Sequence, residues 1–259
     1  MSNRFLRRAG ASLIVQKLTA KAVLERNLIE EGDRILIAAS GGKDSTVMAW
    51  VLSVLKKALK LKLNYSLEAL HISSDFCSCC KKSVLASRLE EWDIPFTDLS
   101  VPIIGRLKEG RKMNCYWCST QRRTELIKYA MENGFNKIAL GHHLDDIIET
   151  FFMNMTGKGT LSTMPMRLSY RKYPLCLIRP LGYLEERQII ACAAEQNILK
   201  AACTCPYGVN SVRRDMRDRI AAFTGNSGAV KRRILAALGG GPEDLLADAG
   251  GEGAGDETY

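Results

Sequence analysis

Residues 34–45 read RILIAASGGKDS and decide the fold of this chain. The first six of them are mostly apolar and predict a buried strand, and the apolar run after Ser45 predicts a helix. Gly41 and Gly42 let the backbone between these elements approach a phosphate closely. The first N–H groups of the helix point at such an anion, and the helix dipole and the Lys43 ammonium both favour it. The stretch therefore predicts an anion site between a strand and a helix.

The glycine turn differs from two common phosphate-binding motifs. A Walker A loop needs four residues between its first glycine and a Gly-Lys pair followed by Ser or Thr, whereas here Asp44 follows Lys43. The dinucleotide fingerprint needs a third spaced glycine, which the turn lacks. The sequence SGGKDS after a strand resembles the pyrophosphate loop of PP-loop ATPases, which cleave ATP to AMP and pyrophosphate.

Charge is unevenly distributed along the 259 residues, whose formal net charge is +9. Residues 241–259 hold six acids and no Lys or Arg, so the rest of the chain has 37 basic and 22 acidic residues, an excess of 15. Such an excess favours a polyanionic partner, of which nucleic acid is the first candidate. No apolar run is long enough to span a membrane, so no membrane association is expected.

The chain has nine cysteines, an odd number, and no secretory signal in front of them. This pattern favours metal or redox chemistry over structural disulfides. The basic amino terminus, without an acid before Glu25, loosely imitates an organellar transit peptide. Ile14, Leu18 and Ala22 recur at helical spacing, however, which favours a folded amphipathic helix and a cytoplasmic protein.

Alternating strand and helix patterns predict an α/β fold with a doubly wound parallel sheet, an N-terminal helix and a helical C-terminal extension. The predicted strands are 34–39, 66–73, 96–101, 137–140 and 175–178, and the predicted helices are 11–30, 45–59, 81–92, 119–133, 145–155, 184–196, 209–222 and 226–238. The expected organisation is an N-terminal helix (1–30), a nucleotide-binding domain (31–200), a cysteine-containing basic extension (201–239) and a disordered acidic tail (240–259). In such sheets, ligands bind beyond the carboxyl ends of the strands, where the glycine loop, His71, Cys115 and Gly141 are all expected.

The second motif is Cys115-Tyr-Trp-Cys118 at a predicted helix start. The helix dipole and nearby basic residues favour thiolates there, and Arg122 lies one turn beyond Cys118. Three interpretations remain open on spacing alone: a thioredoxin-like dithiol, half of a zinc site completed by Cys203 and Cys205, or an iron–sulfur cluster.

The third motif is GHHLDD, residues 141–146. Asp145 and Asp146 lie at a helix start, where acids are favoured in any case. Beside an ATP site, carboxylates also hold Mg²⁺ or position a nucleophile. His142 and His143 lack a clear metal-ligand spacing with these acids.

Five motifs in this order carry a wider resemblance: SGGKDS, CYWC followed by STQRR, GHHLDDIIETFFMNM, LIRPL at 177–181 and CTCPYG at 203–208. Together they closely resemble the tRNA 2-thiocytidine synthetase family of PP-loop proteins, over roughly residues 12–235. The resemblance implies that the chain binds ATP and Mg²⁺, adenylates a cytidine of the tRNA anticodon loop and replaces its oxygen with sulfur. It also implies a sulfur donor, a persulfide or sulfide source such as a cysteine desulfurase, and a homodimer, which is common in the family.

Members of this family use a [4Fe–4S] cluster held by three cysteines, so that the fourth iron stays open for sulfur. Carried over, Cys115 and Cys118 supply two ligands, and Cys205 supplies the third, with Cys203 as the alternative. The resemblance assigns catalytic roles to Lys43, Arg122, Asp145 and Asp146, without deciding between the two acids, and Mg²⁺ to Asp44 or Asp146. The expected nucleotide-binding residues are Ala38, Ala39, Ser40, Gly41, Gly42, Lys43, Asp44, Ser45, His71, Gly141 and His142.

Two sets of residues lie outside this assignment. Cys77, Cys79 and Cys80 are unexpected in the family and could relay sulfur, bind a second metal or be incidental. A carboxyl-terminal basic face could bind tRNA phosphates, and it comprises Arg213, Arg214, Arg217, Arg219, Lys231, Arg232 and Arg233. Four alternatives remain: a lysidine synthetase-like ligase without sulfur chemistry, a thiouridine-forming sulfurtransferase, a zinc-containing tRNA-binding protein, and a sulfur carrier acting on a small molecule.

Overall fold

The computed structural model describes residues 10–58, 63–76, 82–198 and 211–239. The strands in these ranges are β1 Arg34–Ala38, β2 Ser66–Ser74, β3 Phe96–Val101, β4 Lys137–Ala139, β5 Arg167–Ser169 and β6 Cys176–Ile178. The helices are α1 Ala11–Glu25, α2 Lys43–Ala58, α3 Lys82–Glu91, α4 Cys115–Glu132, α5 Leu144–Lys158, α6 Glu186–Glu195, α7 Ser211–Thr224 and α8 Gly228–Gly239.

The strands form one sheet in the order β3-β2-β1-β4-β6-β5. β1 pairs in parallel with β2 and β4, and β4 pairs in parallel with β6. The chain winds outward from β1 in one direction and from β4 in the other, which confirms the doubly wound fold. A ligand site is expected where the strand order reverses, beyond the carboxyl ends of β1 and β4.

Both faces of the central strand β1 are covered. Ile35 and Ile37 are fully buried in the larger core with residues of α1, α2 and α6. Leu36 points to the opposite face and packs in a second core with residues of α4. Alternate residues of a strand face opposite sides, so the continuous apolar run of β1 reflects burial on both faces.

Two predicted helix boundaries were wrong by four residues or more. α1 ends at Glu25 and not at residue 30, because the chain leaves the helix at Arg26 and Asn27 adopts a positive φ of 46°. α4 begins at Cys115 and not at residue 119, because the side chain of Asn114 accepts a hydrogen bond from the backbone N–H of Trp117 and caps the helix. The Cys115–Cys118 motif therefore forms the first turn of α4.

The antiparallel edge strand β5 was missed by the sequence reading. It has three residues, and it pairs with β6 through a short turn in which Tyr170 N–H donates to the Leu175 carbonyl. A strand this short carries no readable alternation, so only the pairing defines it.

Several predictions concern residues that lie outside the described ranges. They are the acidic tail at 240–259, the CSCC cluster at 77–80, and the cluster-ligand candidates Cys203 and Cys205. Within the described ranges, no helix has both the length and the apolar character that crossing a bilayer requires.

Candidate functional site

The loop between β1 and α2 is stabilised by hydrogen bonds of its own serine hydroxyl groups. Gly41 has a φ of 76°, a conformation that glycine adopts without steric cost. The hydroxyl oxygens of Ser40 and Ser45 lie 2.9 Å apart, and the backbone N–H of Gly42 donates to Ser40 Oγ over 3.3 Å. The two serines thus brace the loop from within.

α2 starts at this loop. The first helical hydrogen bond runs from Thr46 N–H to the Gly42 carbonyl at 3.1 Å, and the Thr46 hydroxyl donates to the same carbonyl at 2.9 Å. The N–H groups of the preceding first turn have no acceptor within the helix. Free N–H groups at the start of a helix are the arrangement that binds an anion.

Gly141 brings the GHHLDD turn against the same loop. A Cβ atom at this position would lie 2.9 Å from the backbone nitrogen of Ser45 and 3.1 Å from its Cα. Only glycine therefore allows the turn after β4 to pack on the start of α2. The contact joins the carboxyl ends of β1 and β4, where the strand order reverses.

Lys43 has two carboxylate partners. Its Nζ atom lies 3.1 Å from Asp44 Oδ1 and 2.8 Å from Glu186 Oε1. Burial lowers the pKa of Lys43, but the hydrogen bond to Glu186 and the charge of Asp44 outweigh burial and raise this pKa above its ordinary value. Lys43 is thus held as a cation at the mouth of the loop.

Asp44 and Asp146 both lie near the same nitrogen of the His143 ring. His143 Nε2 is 3.4 Å from Asp146 Oδ2 and 4.0 Å from Asp44 Oδ1. Asp146 also caps α5, because its carboxylate accepts a hydrogen bond from the backbone N–H of His143. The two carboxylates predicted to hold Mg²⁺ are therefore brought together beside the loop, and hard oxygen donors of this kind suit that ion.

Asp145 faces a different direction. Its Oδ2 atom accepts a hydrogen bond from the backbone N–H of Glu186 at 2.7 Å, and its Oδ1 atom lies 2.5 Å from Lys231 Nζ in α8. Burial raises the pKa of Asp145, but the Lys231 and Glu186 hydrogen bonds outweigh burial and lower it. The geometry separates the two acids that the sequence could not rank: Asp146 adjoins Asp44, and Asp145 joins α5 to α6 and α8.

His71 and His142 line the same region, and they differ in their hydrogen-bond partners. His71 Nδ1 lies 2.7 Å from the Ala39 carbonyl and is buried, so its ring fixes the end of β1 beside Ala38. Burial and the Arg179 guanidinium lower the pKa of His142 to about 4, which keeps its ring neutral at pH 7. His142 Nδ1 is buried and has no hydrogen-bond partner among the described residues. An orphaned polar atom beside the loop fits a site that receives a polar ligand.

The Cys115–Cys118 pair lies at the same edge of the sheet as the loop. α4 connects the carboxyl end of β3 to the start of β4, so its first turn lies at the carboxyl edge. Cys115 is exposed and Cys118 is half-buried. The amino end of a helix favours thiolates, so these two side chains fit a cluster that thiolates ligate. The third ligand, Cys205 or Cys203, lies outside the described ranges.

Arg122 follows Cys118 by one helical turn on α4 and is half-buried. Its Nε atom is buried and lacks a hydrogen-bond partner within the described part of the chain. Across that same part, no three His, Cys, Asp or Glu side chains gather as a metal-binding group.

The basic face predicted in the C-terminal helices is partly engaged in ion pairs, although Arg217 and Arg232 stay exposed within their pairs. Four of its seven cations pair with acids of the nucleotide-binding region, and the pairs are Arg213–Glu149, Arg217–Glu149, Lys231–Asp145 and Arg232–Glu185. Arg214, Arg219 and Arg233 are exposed. The sequence reading missed both Glu149, which is 2% exposed, and Glu186. Glu149 could have been found from the sequence, because it follows Asp145 by four residues in an apolar run and so shares its face of α5. No sequence pattern pointed to Glu186.

Comparisons with known proteins identify the family of this chain. The PP-loop domain family matches residues 13–202. The tRNA-cytidine(32) 2-sulfurtransferase of Geobacter metallireducens is 36% identical over 223 residues, which cover 84% of this chain and 86% of that protein. The protein of the same name from Syntrophotalea carbinolica is 33% identical over 241 residues, which cover 91% and 92% of the two chains.

Two solved structures share the fold. The U34-tRNA thiolase NcsA from Methanococcus maripaludis, solved with its [4Fe-4S] cluster, has a TM-score of 0.71 and 23% identity, covering 86% of this chain and 76% of that one. The NMN synthetase from Francisella tularensis has a TM-score of 0.52 and 17% identity, covering 83% and 87%. With the glycine loop, the paired acids and the sequence relatives in agreement, this chain belongs to the tRNA-cytidine 2-sulfurtransferase family of PP-loop enzymes.

Proposed function

We propose that this protein is an ATP-dependent tRNA sulfurtransferase that converts a cytidine of the anticodon loop to 2-thiocytidine. The observation that carries the proposal is the position of Cys115 and Cys118 at the same sheet edge as the SGGKDS loop, in a chain of this family. A nucleotide site and a cysteine pair at one edge combine the two activities that thiolation needs. The cofactors are ATP, Mg²⁺ and a [4Fe–4S] cluster.

The first half of the reaction activates the base. The C2 oxygen of cytidine attacks the α-phosphorus of ATP, the bond to the β-phosphate breaks, and pyrophosphate leaves. The loop amides and Lys43 stabilise the charge that develops on pyrophosphate. Asp44 and Asp146 would hold Mg²⁺ on the phosphates, and Arg122 on α4 would contact a phosphate. The result is an adenylate, which turns a poor leaving group into a good one.

The second half replaces the oxygen. A hydrosulfide ion attacks C2, the C2–O bond breaks, and AMP leaves with the electron pair of that bond. A persulfide donor such as a cysteine desulfurase would need a thiol reductant to deliver sulfur at this oxidation level. Cys115, Cys118 and Cys205 would hold the cluster, with Cys203 as the alternative third ligand. When bound, the cluster supplies an iron with an open coordination position for sulfur.

Transfer RNA approaches this edge as a polyanion. Arg214 and Arg219 on α7 and Arg233 on α8 are exposed and are proposed to contact its phosphates. The other members of the basic face are paired with acids, so we assign them to the site itself.

The test combines iron content with nucleoside analysis. Protein purified without oxygen is incubated with ATP, Mg²⁺, sulfide and tRNA, and the digested tRNA is analysed by mass spectrometry for 2-thiocytidine. About four irons per chain and a new 2-thiocytidine peak are expected. Cys115→Ala is expected to abolish both, whereas Cys176→Ala, which changes a buried core cysteine in β6, should retain both. Bound zinc without iron, or ATP turnover without thiolated nucleoside, would overturn the proposal.

A further inference from the structure

A chain of charges runs from the glycine loop to the C-terminal helices. Lys43 Nζ lies 2.8 Å from Glu186 Oε1, and Glu186 Oε2 lies 3.6 Å from Arg217 Nη1. Each carboxylate oxygen of Glu186 therefore faces one cation, one from α2 and one from α7. Nothing in the adenylation chemistry described above uses Glu186 or Arg217.

The start of α6 places Glu186 beside Lys43. Glu186 is the first residue of the helix, and its backbone N–H donates to Asp145 at the start of α5. The side chain is 28% exposed, so it is open to an incoming ligand. Glu186 thus presents an anion to Lys43 at the place where nucleotide phosphate is expected.

Arg217 is held independently of Lys43. Its Nε and Nη2 atoms lie 2.7 Å and 3.5 Å from the two carboxylate oxygens of Glu149, which is 2% exposed. A two-point contact of this kind fixes the plane of the guanidinium. Arg217 therefore stays beside Glu186 when the flexible Lys43 side chain moves.

Two anions compete for the Lys43 ammonium when a nucleotide binds. Phosphate at the loop requires Lys43 to leave Glu186, and the released carboxylate would then repel the phosphate. A fixed cation beside Glu186 reduces both the cost of the release and the repulsion.

We infer that Glu186 and Arg217 are positioning residues for Lys43: Glu186 holds the ammonium at the loop until nucleotide phosphate replaces it, and Arg217 then balances the charge of Glu186. The C-terminal helical extension therefore takes part in nucleotide binding. This inference rests on the ATP-binding half of the proposed function, and it does not depend on the identity of the modified base or on the cluster.

The test is a double-mutant cycle on ATP binding, measured by isothermal titration calorimetry with Mg²⁺ and without tRNA. Glu186→Gln is expected to lower the Kd for ATP about threefold, since the competing carboxylate is gone. Arg217→Gln is expected to raise it about threefold, since the carboxylate is no longer balanced. In the Glu186→Gln background, Arg217→Gln should change the Kd by less than about 1.5-fold, because there is no charge left to balance.

Two further variants control the cycle. Arg187→Gln removes a neighbouring arginine that pairs with Glu185, at 2.9 Å, and not with Glu186; it should leave the Kd for ATP unchanged. Arg217→Lys keeps the cation and should bind ATP within about twofold of the unmodified protein. If Arg217→Gln fails to fold because Glu149 keeps only the more distant Arg213 as a partner, Glu186→Gln still tests the inference at a partly exposed position.

The outcomes separate the inference from the proposed function. Equal losses from Arg217→Gln in both backgrounds, or no gain from Glu186→Gln, would overturn the inference and leave thiolation intact. If the Kd values for ATP follow the predicted double-mutant cycle but the protein forms no 2-thiocytidine, the inference is supported and the proposed function is overturned. A protein that binds no ATP would overturn both.

Discussion

Lys43 and Lys137 lie at opposite edges of the sheet, and each contacts two carboxylates. Lys43 stands beyond the carboxyl end of β1, with Asp44 and Glu186 as partners. Lys137 begins β4 at the amino edge, with Glu30 at 2.8 Å and Asp33 at 2.7 Å. Both sites combine one ammonium group with two carboxylates, but their surroundings differ.

Of the two Lys137 pairs, the Glu30 pair is open, since Glu30 is 54% exposed, whereas the Lys137–Asp33 pair, called the amino-edge pair below, is closed to solvent. The side chains of Lys137 and Asp33 are both 3% exposed, and the ammonium also donates to the Leu28 carbonyl at 3.0 Å. The Asp33 carboxylate accepts further hydrogen bonds from the Asn136 side chain and the Glu30 backbone N–H. Each charge therefore has several fixed partners, which is the condition under which a buried ion pair is tolerated.

The carboxyl-edge pair is open. The side chain of Lys43 is 19% exposed, and its partners Asp44 and Glu186 are 31% and 28% exposed. Its partners are carboxylates on side chains that can turn away, and the loop beneath it is made of glycine and serine. The difference teaches that a lysine serving the fold has fixed and saturated partners, whereas a lysine serving a ligand has partners that the ligand can replace.

The largest expected effect on stability is at Lys137. Lys137→Gln leaves the buried Asp33 carboxylate without its cation and should lower the free energy of unfolding by about 3–5 kcal/mol. Urea denaturation followed by circular dichroism measures this loss. A loss below about 1 kcal/mol would mean that the amino-edge pair behaves like a surface ion pair, and the comparison would fail.

Lys43→Gln should have the opposite effect: a small change in stability and a large change in ATP affinity. Its free energy of unfolding should change by less than about 1 kcal/mol, because its partners reach solvent. Its Kd for ATP should rise at least about tenfold, because a charged hydrogen bond to phosphate is lost. Calorimetry and urea denaturation on one preparation measure both quantities. Lys57→Gln, which removes an exposed lysine at the far end of α2, is the control and should alter neither.

Gly141 tests whether the open edge depends on close backbone packing. Gly141→Ala places a Cβ atom 2.9 Å from Ser45 N, so the loop must shift, and the Kd for ATP should rise about fivefold. Gly157→Ala is the matched control in α5, where an added Cβ meets no atom within 4 Å. The control should keep the Kd for ATP and gain about 0.5 kcal/mol of stability. Equal ATP affinities in the two variants would contradict the packing argument.

The smallest effect is expected from salt. Screening weakens exposed pairs more than buried ones, so the gain in ATP affinity of Glu186→Gln over the unmodified protein should shrink from about threefold to below about twofold between 0.05 and 0.5 M NaCl. The stability loss of Lys137→Gln should change by less than about 0.5 kcal/mol over the same range. If the stability loss caused by Lys137→Gln depends on salt, the amino-edge pair is hydrated.

The strand, glycine turn and helix start were readable because each is a local signal. Alternation, glycine spacing and acids in the first turn of α5 involve residues within a few positions of one another. The acids at 145 and 146 were placed at a helix start, and both lie in the first turn of α5. The short strand β5 and the first turn of α4 were not read, because one depends on pairing and the other on a single capping side chain.

The partners of the charged side chains were beyond local reading. The basic residues of α7 and α8 were assigned to tRNA phosphates, yet Arg217 reaches Glu149 across 68 positions and Lys231 reaches Asp145 across 86. Their pattern along the helix is the same whether they face solvent or an acid. Only the packing of α7 and α8 on α5 decides between the two.

The sequence by itself determined the doubly wound fold, the family and the residues gathered at the carboxyl edge of the sheet, because periodicity and motif order are properties of neighbouring residues. The tertiary structure alone decided which carboxylate faces which cation. It separated Asp145 from Asp146, placed Glu186 on Lys43, and buried Lys137 with Asp33. Such pairings depend on distances between side chains far apart in the chain, and these distances are fixed only when the helices pack.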